Sequence, residues 1–167
     1  MAKLWPLFIS VIALICSCSS DNESTADNEA TEQESSNEEA SLTAYESEIL
    51  ALINTHRQDN GLQVLSFNSV IQAEAKAHSI NMATEVTAFG HDDFETRKLN
   101  IERKLGNINA VAENVAFGQY PAQKVVNSWL NSSGHRRNIE GSYNLTGISA
   151  QQSADGDWFY TQIFANK

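Results

Sequence analysis

The side chains able to do chemistry in this chain are few and far apart: His56, His78, His91, His135 and the isolated acid Glu113. An imidazole titrates near neutrality and can act as general base, metal ligand or hydrogen-bond donor. No HExxH or other paired spacing joins any two of the histidines, so local sequence alone builds no metal site. His56 and His78 fall within helical stretches, on or beside apolar faces. A histidine there is more often a hydrogen-bonded core or boundary residue than a ligand. His91 follows Phe89-Gly90 at a break between helices, where side chains are presented rather than packed. Glu113 is the only acid between Glu102 and Glu140 and stands among apolar residues in AVAENVAFG. A carboxylate with those neighbours is either buried and paired or functional. His135 follows Gly134 in WLNSSGHRRNIEG, at a helix end. It either caps carbonyls there, with Arg136 and Arg137 in solvent, or turns inward to join His91 and Glu113.

The elements that must position these groups are legible from periodicity. Tyr45, Ile49, Leu52, Ile53 and His56 recur at helical spacing, and Asn60-Gly61 supplies a stop. A second helix is predicted from Asn68 or Ser69 to about Thr84, with Ile71, Ala75, His78 and Met82 on one stripe. A third covers Asp93 to Leu105, with Phe94, Ile101 and Leu105 inward and Gly106 at its end. Pro121 opens a fourth, whose apolar side is Val125, Val126, Trp129 and Leu130. The period then changes to two. Thr146 to Gln152 alternates, Ser153 to Asp157 is turn chemistry, and Trp158 to Phe164 is rich in strand formers, which predicts an antiparallel hairpin. A further strand is expected near Ala112 to Phe117. About four helices flanking a small antiparallel sheet make an α+β layered domain.

The first residues read as a leader rather than as part of the fold. Lys3 gives a positive start, and Leu4 to Ile15 form an apolar run too short to span a membrane. Ile15-Cys16-Ser17-Cys18 resembles a bacterial lipobox, with the small Ser17 placed for cleavage before Cys18. Residues 1–17 are therefore expected to be a lipoprotein signal peptide; the alternative is an ordinary secretory signal with a later cut. Cys18 would be acylated and would hold the protein at a membrane, with Ser19 resembling an outer-membrane destination. Cys16 would leave with the leader, so no thiol would remain for catalysis or a disulfide. Residues 18–43 read as an acidic, disordered tether: Ser19 to Ser41 holds eight acids, no base and no large apolar side chain. The domain is expected over 44–167.

The formal charge of −10 belongs to that leading segment. With Glu46 and Glu48 it takes ten of the twenty-one acids, and the rest of the chain is nearly neutral. Such a balance argues against nucleic acid as a partner.

Taken in order, Gly90-His91, Ala112-Glu113-Asn114-Val115, WLNSSGHRRNI and WFYTQIF resemble the CAP domain in its bacterial form. That superfamily comprises the cysteine-rich secretory, antigen 5 and pathogenesis-related 1 proteins. The resemblance runs from about Ala44 to Ala165 and implies an α–β–α sandwich with a central cleft. Family members of the animal and plant type carry two histidines and two glutamates in that cleft. His91 matches the first histidine and Glu113 the first glutamate, here in AEN rather than GEN. Ser132 stands where the second glutamate would be, and Phe159 where the second histidine would be. The bacterial branch carries a histidine at the place of His135, so the resemblance assigns His91, Glu113, Ser132 and His135 to the cleft.

Three functions follow from this reading. One is a non-enzymatic, envelope-anchored module whose cleft takes a lipid, peptide or envelope component, as the resemblance implies. Another is a metal-assisted hydrolase or protease using His91, Glu113 and His135, with His91 and His135 as ligands of a weakly bound zinc or other divalent ion. The third is a structural envelope domain whose polar cluster ties the layers together. Ser132 and Ser133 lack a nucleophile-elbow context, so serine hydrolysis is not expected. The anchor has a direct test: a clickable fatty acid should label the wild type and not Cys18→Ala, and label persisting in the variant would move the attachment elsewhere.

Overall fold

The computed structural model describes residues 41–118 and 121–167. The leader, Cys18 and most of the acidic segment lie outside the described residues. Helix α1 spans Ala44–Asp59, α2 Ser69–Ala83, α3 Phe94–Leu105, α4 Ala122–Asn131 and α5 Ser133–Ile139. Strands β1 (Ser66–Phe67), β2 (Ala110–Phe117), β3 (Leu145–Gln152) and β4 (Trp158–Asn166) form one sheet in the order β1-β3-β4-β2. The short β1 runs parallel to β3, and the other pairs are antiparallel.

Strand alternation splits the core into two layers. Tyr160 and Phe164 of β4 pack with Ile49 and Ile53 of α1 and with Val125, Val126 and Trp129 of α4. Ile163 and Ala165 point the other way, against Ile71 and Ala75 of α2 and Ile101 of α3. The result is the α–β–α sandwich that the resemblance implies. Helix α2 lies directly on β3 because Gly147 has no side chain. A Cβ there would sit 2.3 Å from the amide nitrogen of Gln72.

Three features depart from the sequence reading. Among the described residues there are five helices rather than about four: WLNSSGHRRNI does not end a helix but changes one helix for another. Ser132 takes an extended conformation (φ −92°, ψ 120°) that stops α4, while its carbonyl already accepts the amide of Arg136 in α5. His135 therefore sits in the first turns of α5 rather than at a helix end. Strand β1 has no counterpart in the sequence reading, since two residues carry no periodicity. Glu46, counted above with the acidic segment, is instead buried at the start of α1. Thr43 and Glu46 form a reciprocal capping box, and Oε1 of Glu46 also accepts the amide of Ala150 in β3 at 2.9 Å.

Side chains cover part of both flanks of the sheet. On β3 beyond the end of β1, Gln72 accepts the amide of Ile148 at 2.7 Å, next to the Glu46–Ala150 bond. On the outer flank of β2, Asn138 donates to the carbonyl of Glu113 and the indole of Trp129 to that of Val115, both at 3.1 Å. These bonds satisfy backbone groups that an edge strand otherwise leaves open. Trp129 thus fills the core and completes an edge. Trp129→Ala should cost about 3–5 kcal/mol in chemical denaturation, the range for large aromatic deletions in cores. A loss below about 1 kcal/mol would show that the indole is not part of the packed layer.

Candidate functional site

The site is assembled around the carboxylate of Glu113. Residues 111, 113, 115 and 117 of β2 face the α2–α3 layer, opposite Ala165, Ile163, Thr161 and Phe159 of β4. Arg97 of α3 meets Glu113 in a two-toothed ion pair. Its Nε donates to Oε2 and its Nη2 to Oε1, each at 2.8 Å. His91, in the loop before α3, donates from Nδ1 to the same Oε1 at 2.9 Å. That bond fixes the tautomer and turns Nε2 of the half-exposed imidazole toward the pocket. Arg97 also donates to the carbonyl of Asp92, which ties the loop to the helix that follows it.

His78 of α2 approaches the same carboxylate from the core, its Nε2 3.9 Å from Oε1. Its hydrogen bond runs to the carbonyl of Gly90 at 2.9 Å. A carbonyl can only accept, so Nε2 carries the proton, and Nδ1 has no partner among the described residues. Burial holds the His78 pKa below its ordinary value, and the positive charge of Arg97 adds to this against the opposing Gly90 bond and Glu113 charge.

Asparagines place His135. Asn114 donates from its side chain to the carbonyl of His135 at 3.1 Å, and Asn138 donates to the side-chain oxygen of Asn114 at 2.9 Å. With the Asn138 bond to Glu113, this straps α5 along β2. The His135 pKa is lowered by burial and then by the nearby charge of His91. His91, Glu113, Ser132 and His135 consequently line one open pocket of about 340 Å³, together with Gly134, Arg137 and Asn138. His56 lies elsewhere, bonded through Nε2 to Glu140 at 2.9 Å.

Sequence reasoning missed Arg97, the residue that sets the character of the pocket. A signal was present: Phe94, Arg97, Ile101 and Leu105 follow the apolar stripe of α3. An arginine on such a stripe must find an acid or a set of carbonyls. Arg97 also bears on the choice of metal ligands. Both oxygens of Glu113 are already held by Arg97 and His91, which leaves two imidazoles, short of the three or four ligands zinc takes. Among the described residues, no group of three His, Cys, Asp or Glu is placed to hold a metal ion. Glu113 as a third ligand beside His91 and His135 does not fit this donor set.

A second, larger pocket of about 490 Å³ lies on the same face, lined by Met82, Glu85, Phe89, Phe117 and Phe159 among others. Phe117 packs on Phe159 with ring centroids 4.9 Å apart and on Phe89 at 6.0 Å. Phe89 and Phe117 remain 52% and 45% exposed. The position at which the resemblance places a second histidine is therefore part of an aromatic wall.

The two lowered histidines give a pH dependence of fixed sign. Their folded pKa values lie below the unfolded one, so they favour the fold above about pH 6.5, and that contribution is lost as the pH falls through the folded values. His78→Leu should lose less of its urea midpoint between pH 7 and pH 5 than the wild type does. An equal drop in both proteins would remove His78 from the acid response.

Comparison with known proteins agrees with this architecture. The cysteine-rich secretory protein family, CAP, matches residues 50–164. The YkwD protein of Bacillus subtilis is 32% identical over 130 residues, covering 77% of this chain and 49% of that protein. The YlbC membrane protein of the same organism is 29% identical over 128 residues, covering 75% of this chain and 35% of that protein. The chain thus spans half or less of the length of these curated relatives. Among solved structures, an outer surface protein from Borrelia burgdorferi has a TM-score of 0.63 at 22% identity, over 71% of this chain and 90% of that one. An extracellular protein with an SCP domain from Bacillus anthracis has a TM-score of 0.60 at 26% identity, over 76% and 45%. From its matched sequence and its sandwich, this chain belongs to the cysteine-rich secretory protein family, the CAP domains.

Proposed function

We propose that this protein is a non-enzymatic extracytoplasmic binding module, held at the cell envelope through Cys18, whose cleft takes a lipid or peptide ligand. The observation that carries this reading is the pairing of two unlike pockets on one sheet face. Glu113 marks the polar one and Phe117 the aromatic one, four residues along β2 and so about 13 Å apart. Contiguous exposed aromatic surface beside a few fixed polar groups is the usual make-up of a ligand site. The arrangement offers little to a hydrolase. Glu113 is neutralised by Arg97, and among the described residues no hydrogen bond joins the hydroxyl of Ser132 to His91.

The envelope assignment draws support from the family name, from the outer-surface and extracellular descriptions of two structural relatives, and from the lipobox-like Cys18. Among the described residues no helix is long and apolar enough to cross a membrane, so attachment would fall to the lipid. The acidic segment after Cys18 would then serve as a spacer that lets the domain reach outward.

Native mass spectrometry of the protein purified from its own source should show one retained ligand, unchanged in mass after prolonged incubation. Phe117→Ser should reduce its occupancy. Release of cleaved fragments, abolished by His91→Ala, would replace the binding reading with a hydrolytic one.

A further inference from the structure

The polar pocket has an unusual charge balance. Its only acid, Glu113, has a side chain just 2% exposed and is cancelled by Arg97. Arg137 lines the same pocket, is exposed, and makes no ion pair or side-chain hydrogen bond among the described residues. Its neighbour Arg136 is tied back to the carbonyl of Leu130. A glutamate at position 132, as the resemblance would place there, could balance Arg137; a serine hydroxyl cannot. One guanidinium charge is therefore left without a partner in a concave site, where low-dielectric walls focus its field.

Resting on the binding reading above, we infer that this pocket is an anion subsite, and that it takes an oxyanion with a hydrogen-bond donor beside it. The planar fork of Arg137 suits a carboxylate or phosphate, which can take two parallel N–H bonds from it. Ser132 adds a hydroxyl donor at the pocket wall. His91 contributes the complementary half. Its Nδ1–H is spent on Glu113, so in the unprotonated form of the ring Nε2 presents a lone pair that can accept an O–H or N–H from the ligand. Two sources share this chemistry: the free end of a peptide, with a carboxylate next to an amide N–H, and a hydrogen phosphate, with an acidic oxygen next to a hydroxyl. The aromatic pocket along β2 would then receive an apolar part of the same ligand. This departs from a cation site at the same place, because the acid such a site would use is already paired.

The test is isothermal titration of the full-length protein at constant ionic strength with two probes, inorganic phosphate and N-acetylalanine, since salt screens exposed charges. At least one probe should bind, and if both bind they should compete. Arg137→Gln and Ser132→Glu should each weaken that binding about tenfold or more, the loss expected for a charge-assisted contact. Arg103→Gln, which removes an exposed cation on α3, should leave it unchanged. Equal losses for Arg137→Gln and Arg103→Gln would reduce the effect to net charge and overturn the subsite. So would the failure of both probes to bind. A retained neutral ligand that neither anion displaces would also overturn the subsite while leaving the binding reading intact. Turnover of a bound ligand would sink that reading instead.

Discussion

The ion pair between Arg97 and Glu113 is the interaction on which the site depends. Two charges removed from water gain little net stability from each other, but leaving either one alone in the core is expensive. The pair therefore fixes geometry more than it adds energy. It sets α3 against β2, holds the His91 loop through Asp92, and gives the carboxylate the orientation that selects the His91 tautomer. His78 is kept neutral behind it. Without Arg97, His91, Ser132 and His135 would surround a naked carboxylate and would favour a different class of ligand.

A related logic governs the other buried cation. Arg57 of α1 pairs with no carboxylate among the described residues. Its guanidinium donates to the carbonyls of Gln63, Ile139, Gly141 and Tyr143, which ties the end of the first helix to the connection between α5 and β3. Burial lowers its pKa from the ordinary arginine value. Arg57 is four residues beyond Ile53 on the same stripe, just as Arg97 is four before Ile101. In both helices a charged group occupies a core position and organises loops that apolar side chains could not hold.

These positions also mark how far the sequence could be read. Long periodic segments were legible: the stripe of α2, the alternation of β3 and β4, and the burial of Trp129 follow from local pattern. The cleft residues were reached through the order of the family motifs rather than through local physics. What stayed hidden depends on distant partners. β1 exists only because Ser66 and Phe67 meet Leu145 and Thr146. α5 hides behind a one-residue break. The sign of the pocket's charge rests on a contact between residues sixteen apart, which no periodicity announces.

The partly covered flanks of the sheet carry a consequence for how such a domain lives among its neighbours. Asn138, Trp129, Gln72 and Glu46 occupy backbone groups through which one β-domain can recruit another as an added strand. Copies crowded onto a single surface meet at high effective concentration, and an open edge would turn each encounter into a chance of irreversible stacking. With those groups occupied by the domain's own helices, less of the sheet edge is left to which a second copy could add a strand.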